Sequence, residues 1–293
     1  MKDDPDRPVA VTQAAPAKIN LALHVTGRRA DGYHELGTLA VFADCGEHVV
    51  VQAADDLRLR VEGPFSASLP NDETNLVTAA ARIFFSTAGF DGKALLSLNK
   101  TTPVGAGLGG GSADAAATFR ALNQYFNCAI GVRDLAGLGA DLGADIPMCV
   151  YSQALRATGT GEVIEPLSSA PPLPLVLVWP GRPVATASVF KQLRDVSNPP
   201  LPRLPEAFST VRDVVAWLAD TRNDLQAAAI EIEPVIADTL EALAATDQCL
   251  LVRMSGTGSA CFGIYPDIAS ANAAEQALRI SHPNWWIRAV WAN

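Results

Sequence analysis

No C-x-x-C pair occurs in this sequence, and its five cysteines (Cys45, Cys128, Cys149, Cys249, Cys261) are odd in number and widely scattered. That excludes a disulfide framework and fits reduced thiols in a cytoplasmic protein. The four histidines (His24, His34, His48, His282) are dispersed and no H-E-x-x-H is present, so no metal cage is expected. Positive charge is scarce. Lys and Arg number 22 against 31 Asp and Glu, a net charge of −9. Without a basic cluster the chain is a poor general nucleic-acid binder, and any phosphate must be held locally against the overall field. No apolar run approaches the roughly 20 residues of a membrane span. The start, "MKDDPDRPVAVTQ", lacks the apolar region of a signal peptide. Residues 1–13 read as a frayed tail.

What is present is enough apolar material for a large core: 49% of 293 residues are hydrophobic. The length suggests two domains. The Pro- and Ser-rich "LSSAPPLPL" at 167–175 is the best linker, giving domains of 1–166 and 167–293. "INLALHV" alternates, with Ile19, Leu21, Leu23 and Val25 on one face and Lys18, Asn20 and His24 on the other. A turn at Asp31–Gly32 and a second strand follow. A helix is expected over Leu76–Ala88, a strand at "KALLSLNK", a helix from Ser112 to about Asn127, and a glycine-weakened helix from "VRDLAGLG" to near Asp145. The second half predicts a buried strand at "LVLVW", helices near 211–219, 234–244 and 268–278, a hairpin around "SGTGSACF" and a closing strand at "WWIRAVWA". Adjacent early strands mixed with helices favour an α+β fold over a doubly wound sheet.

The densest signal is "PVGAGLGGGSADAAATF", where Gly105, Gly107, Gly109, Gly110 and Gly111 run straight into an alanine-rich helix. A helix N-terminus exposes unpaired N–H groups and a partial positive charge, and glycines before it let the backbone close on an anion. Ser112 suits the N-cap. A loop of this composition costs conformational entropy that a mere turn does not need, so a phosphate cradle is the favoured reading over tight packing. Gly105-x-Gly107-x-x-Gly110 satisfies the dinucleotide fingerprint literally, but "NQYFNCAIGV" lacks the acidic residue that should follow. No Lys-Ser/Thr follows the loop, so it is not a Walker loop, and H-R-D and D-F-G are absent.

"PVGAGLGGGSADAA" resembles the phosphate loop of the GHMP small-molecule kinases. With "PAKINLALHVTGRRADGYHEL", "LGADIP" and "SGTGSACF" it is similar to the branch acting on a cytidine-diphosphate-linked methylerythritol. The motifs span residues 16–262. The resemblance implies two α/β domains with the active site in a cleft between them: 1–166 carrying the phosphate loop and catalytic residues, 167–293 completing the substrate side. It implies transfer of the γ-phosphoryl of ATP to an alcohol, with Mg²⁺ arriving on the nucleotide and its protein ligands unassigned.

Residue by residue, the resemblance implies that Pro103, Val104, Gly105, Ala106, Gly107, Leu108, Gly109, Gly110, Gly111, Ser112 and Ala113 hold the nucleotide. It makes Asp145 the base and Lys18 its cationic partner. Asn20, Tyr33, His34, Lys100, Thr186 and Phe190 fall at the small-molecule substrate, Tyr33 and Phe190 covering the cytosine faces and His34 its edge. Gly256, Thr257 and Gly258 support the phosphates, and Asn223-Asp224 matches a further element. One departure is Ala113, where the family commonly carries a second serine. Taken without the resemblance, Asp145 also suits a turn, Lys18 and Lys100 solvated strand positions, Tyr33 and His34 a hairpin, and Phe190 a helix core. The alternatives at this point are a GHMP kinase for homoserine, mevalonate or a sugar, a nicotinamide oxidoreductase, and a nucleotide-binding module without turnover. The partner is a small molecule, with neither nucleic acid nor membrane, and the chain is a monomer or weak homodimer.

Overall fold

The computed structural model describes residues 8–70 and 72–293. The start of the expected tail, residues 1–7, lies outside these; the rest of it does not fray, because β1 (Ala10–Arg28) already begins at Ala10. The chain then forms β2 (His34–Gln52), β3 (Leu57–Glu62), α1 (Leu76–Ala88), β4 (Ala94–Asn99), α2 (Gly110–Tyr125), α3 (Val132–Gly139) and α4 (Ile146–Tyr151). There follow β5 (Leu155–Gly159), β6 (Val163–Pro166), β7 (Leu173–Trp179), α5 (Thr186–Gln192), α6 (Val211–Ala219), α7 (Gln226–Ile232), α8 (Val235–Ala244), β8 (Leu251–Met254), β9 (Cys261–Ile264), α9 (Ile268–Ser281) and β10 (Trp286–Ala292). The mixture is α+β, as the sequence predicts.

Two compact units emerge. One takes in residues up to Ala17 with Cys45–Val104 and Gly109–Ser152; the other comprises Lys18–Asp44, Gly105–Leu108 and Gln153–Asn293. The expected boundary at 166/167 falls inside the second unit. The β5–β6 hairpin before it pairs, Leu36↔Gly159 to Ala40↔Leu155, with the first half of β2.

In the first unit, β4 lies between β3, to which it is parallel, and the second half of β2, to which it is antiparallel. Helix α1 is capped by Asn75, whose Oδ1 accepts from the Val77 N–H at 3.0 Å. Helix α2 is buried over most of its circumference, including Ala113, Ala115, Ala116, Ala117, Phe119, Ala121 and Leu122. Its alanines follow from that: neighbours on several sides leave little room for side chains, and alanine adds helix propensity. The helix expected from 132 to near Asp145 stops at Gly139, and a separate short helix follows it. Pro147 is tolerated only in a first turn, so a new helix starts at Ile146. At Gly139 the chain passes so near Ile146 that a Cβ would sit 2.3 Å from its Cγ2. Arg120 of α2 donates to the Cys149 carbonyl at 2.7 Å and fixes α4.

In the second unit an antiparallel sheet runs β10–β7–β9–β8. β7 lies between two strands and is buried on both faces, which its unbroken apolar sequence reflects. Residues 18–25 of β1 are buried on both faces, so the polar side of the alternation does not meet solvent. His24 on that side is satisfied internally. Nε2 of His24 accepts from the Arg222 N–H at 3.1 Å, which leaves Nδ1 to donate to the Pro199 carbonyl at 3.0 Å; burial lowers the pKa and keeps the ring neutral. Arg253 donates to the carbonyls of Leu21, Leu218 and Thr221, tying β1 to the end of α6.

Gly139→Ala should lower stability by about 1–3 kcal/mol, the usual range for an overpacked core position. Denaturant unfolding checks it, and an unchanged midpoint would mean that Ile146 can step aside.

Candidate active site

The glycine stretch is built so that its oxygens are occupied and its amides are not. The Lys18 N–H donates to the Leu108 carbonyl at 2.9 Å, and the Ala260 N–H to that of Ala106 at 2.8 Å. The Ser255 hydroxyl donates to the Gly107 carbonyl at 3.1 Å, and the Ala113 N–H to that of Gly109 at 2.8 Å. Among the described residues, no amide from Gly105 to Ser112 has a hydrogen-bond acceptor. Left-handed φ values of 71°, 78° and 64° at Gly105, Gly107 and Gly109 give the loop this shape. Gly107 admits no side chain, since a Cβ would lie 2.7 Å from the Ser255 carbonyl oxygen and 2.8 Å from that of Gly258.

Helix α2 begins at Gly110, two residues before the expected start, and Gly109 occupies the N-cap with no side-chain cap. Ser112 is therefore not the N-cap but sits in the first turn, because the left-handed Gly109 turns the chain early enough for Gly110 and Gly111 to be helical. The result is a row of donors ending in a helix N-terminus, an arrangement suited to a polyphosphate. The buried neighbours Pro103, Ala106, Leu108 and Ala113 anchor it, and Val104 is half-buried.

Lys18 is not a solvated strand charge. It lies in β1, 3% exposed, in the residue whose amide holds Leu108. Asn20 donates from Nδ2 to Thr38 Oγ1 at 2.8 Å, while its Oδ1 is buried and accepts from nothing among the described residues. The Asn20 N–H donates to Ser255 Oγ at 3.2 Å, so β1, Ser255 and Gly107 form one chain of bonds. Asn223 supports the second glycine turn: its Nδ2 donates to the carbonyls of Met254 and Gly256, both at 2.8 Å, and its Oδ1 accepts from Leu225 N–H. Asp224 accepts from the Val25 N–H at 2.7 Å. Asp145 stands at the N-cap of α4 and is half-buried, and its side chain makes no capping bond to that helix.

The expected base-binding residues lie in the second unit. Tyr33 is exposed at the hairpin tip, 66% accessible. The His34 ring is stacked on Phe190 with centroids 4.9 Å apart. One face of Phe190 is therefore covered by the His34 ring. Burial, with Arg28 adding to it, lowers the His34 pKa and favours the neutral ring. Thr186 opens α5, and its hydroxyl is 3.1 Å from that of Thr257.

Lys100 is not a solvated strand end. It is 2% exposed and its ammonium meets Asp114 Oδ2 at 2.8 Å and Glu47 Oε1 at 3.3 Å. Neither carboxylate was singled out from sequence, although an aspartate inside a buried alanine run was the available signal. Burial, with Glu47 adding to it and Lys100 opposing it, raises the Asp114 pKa to about 7. Among the described residues no group of three His, Cys, Asp or Glu could hold a metal, and no helix is long and apolar enough to cross a membrane.

Residues 75–153 match the GHMP kinases N terminal domain and residues 204–284 the GHMP kinases C terminal domain. Loop and matches together define a small-molecule kinase of the GHMP class. A protein of Cereibacter sphaeroides (strain ATCC 17025) called 4-diphosphocytidyl-2-C-methyl-D-erythritol kinase is 48% identical over 93% of this chain and 96% of its own length. One of the same name from Parvibaculum lavamentivorans is 45% identical over 94% and 96%. A crystal structure of 4-(cytidine 5'-diphospho)-2C-methyl-D-erythritol kinase superposes with a TM-score of 0.79 at 33% identity, covering 96% of this chain and 99% of that one. The chain belongs to the 4-diphosphocytidyl-2-C-methyl-D-erythritol kinase family. Homoserine kinase from Cytophaga hutchinsonii shares the fold, with a TM-score of 0.70 at 18% identity and coverage of 98% and 95%.

A folded-state pKa raised in this way makes the protonated Asp114 the form that folding favours. The contribution is fully present below the ordinary carboxylate pKa and is lost as pH rises toward 7. The stability of Asp114→Asn relative to wild type should therefore climb between about pH 4 and pH 7 and level off above. Denaturant midpoints measured across that range check it; a flat difference would mean that Lys100 keeps the carboxylate ionised throughout.

Proposed function

We propose that this chain transfers the γ-phosphoryl group of ATP to the 2-hydroxyl of 4-diphosphocytidyl-2-C-methyl-D-erythritol, in the non-mevalonate route to isoprenoid precursors. The observation that carries the reading is the run of unsatisfied amides from Gly105 to Ser112, with their carbonyls tied back into the protein. Such a run fits the triphosphate, and preorganised donors of this kind need no rearrangement as charge shifts during transfer. Mg²⁺ would arrive with the nucleotide, held largely by its phosphates and by water, as the ion's reluctance to lose water favours.

Asp145 accepts the alcohol proton. A carboxylate is a weak base toward an alcohol, so the proton leaves as the phosphoryl group arrives. Lys18 supplies positive charge to the attacking oxygen. The buried Oδ1 of Asn20, which has no protein donor, accepts from a hydroxyl of the substrate. Tyr33 offers an open aromatic face to the cytosine, and neutral His34 can both donate to and accept from its edge. Thr186, beside Thr257, and Phe190, beneath His34, complete that pocket. The protein works in the cytoplasm as a monomer or weak homodimer, without nucleic acid; its net charge of −9 is consistent with the last point.

In a coupled assay with the cytidyl alcohol, Asp145→Ala and Lys18→Ala should each lower kcat by about 10²–10⁴-fold with unchanged melting temperature. A near-wild-type rate in either removes that role. Tyr33→Ala should raise the KM for the cytidyl substrate about tenfold, as expected for one lost stacking contact, and leave the KM for ATP unchanged. Homoserine and mevalonate should not be phosphorylated; turnover of either in place of the cytidyl alcohol would overturn the substrate assignment.

A further inference from the structure

Three buried charges meet at the first turn of α2. Lys100 follows β4, Glu47 belongs to the second half of β2 and Asp114 to the second turn of α2, and none is more than 3% exposed. Their bonds converge. Lys100 Nζ lies 2.8 Å from Asp114 Oδ2 and 3.3 Å from Glu47 Oε1, and Glu47 Oε1 also accepts from the Thr102 N–H at 2.9 Å and from the Thr102 hydroxyl. The other carboxylate oxygens, Glu47 Oε2 and Asp114 Oδ1, are buried with no partner among the described residues. A Cβ on Gly110 would lie 2.9 Å from the Lys100 ammonium. The cation is therefore packed against the backbone of the residue that opens α2.

An ammonium so placed is poorly suited to touch a ligand. To do so it would leave two carboxylates buried without a counter-charge, and breaking a buried pair in that way is strongly destabilising. The same constraint makes the cluster a fixed point. Asp114 belongs to α2, and Glu47 and Lys100 to the strand layer, so the ammonium ties the helix to the sheet just below its free amides.

We infer that Lys100, Asp114 and Glu47 form a clamp that fixes the first turn of α2, and with it the amides of Gly110 to Ser112, where they meet the nucleotide's phosphates. Lys100 is thus a positioning residue that acts on ATP through the helix. The inference rests on the phosphate reading of the loop given above.

The test, run at about pH 8, where Asp114 is mostly ionised, compares wild type, Lys100→Met, Asp114→Asn and the double variant by melting temperature and by separate KM values for ATP and the cytidyl alcohol. Lys100→Met should raise the ATP KM about tenfold, keep the acceptor KM within about twofold, and lower the melting temperature, since two buried carboxylates lose their cation. Adding Asp114→Asn removes one of those carboxylates and should recover a large part of both losses, the coupling expected of groups in one network. A lysine that touches the ligand cannot be rescued in this way. Asp114→Asn alone keeps the Lys100–Glu47 pair and should fold, with the ATP KM raised about threefold.

The inference is overturned if Lys100→Met leaves the ATP KM unchanged or raises the acceptor KM equally. It is also overturned if the double variant melts like wild type while its ATP KM stays at the Lys100→Met value. Should Lys100→Met fail to fold, Asp114→Asn decides, and an unmoved ATP KM there overturns it. Wild-type protein that binds no ATP would instead remove the phosphate reading, and this inference with it.

Discussion

Backbone hydrogen bonding in the glycine loop is the constraint on which the rest of the site depends. A peptide group left unpaired is costly inside a protein unless something else satisfies it. Here the oxygens of Ala106, Gly107, Leu108 and Gly109 are all taken, by the amides of Ala260, Lys18 and Ala113 and the hydroxyl of Ser255. The nitrogens are left over, and a polyphosphate is the partner they suit. Loop shape and loop chemistry thus have one origin: tying down the acceptors turns a flexible segment into a fixed row of donors.

This explains why the most flexible stretch of the chain abuts its most helix-prone one. Glycine is needed where φ turns positive and where the backbone of the second glycine turn comes within contact of Gly107. Alanine is needed immediately afterwards because α2 is enclosed on several sides. A bulky residue on either side of the junction would move the helix start, and the position of the helix start sets where the last donors lie. The buried charges at Lys100, Glu47 and Asp114 belong to the same logic, since they bind the beginning of that helix to the strands beside it.

Local pattern made much of the fold legible. The limits of α1, the enclosed strand β7, the hairpin of β8 and β9 and the closing strand β10 follow from apolar spacing and turn residues. The glycine run pointed to an anion, and the separated motifs to the family. Less visible were features that depend on what packs against what. The alternation in β1 put Lys18, Asn20 and His24 on one face, but did not show that other segments bury that face and give partners to the Asn20 amide nitrogen and the His24 ring. Ser112 looked like the cap because serine caps helices, yet a left-handed Gly109 started the helix earlier. His34 and Phe190, far apart in sequence, meet ring to ring.

Sequence by itself determined the α+β class, the glycine run leading into an alanine-rich helix and the family, because each is written in short-range pattern or in motifs whose order survives without coordinates. Tertiary structure alone decided which charges are buried and with whom. Lys100 and Asp114 lie fourteen positions apart and Glu47 a further fifty-odd away, and no local rule distinguishes such a triad from three solvated surface residues. Burial makes the difference: once water is removed, each charge must find its partner across the fold, and that choice belongs to packing.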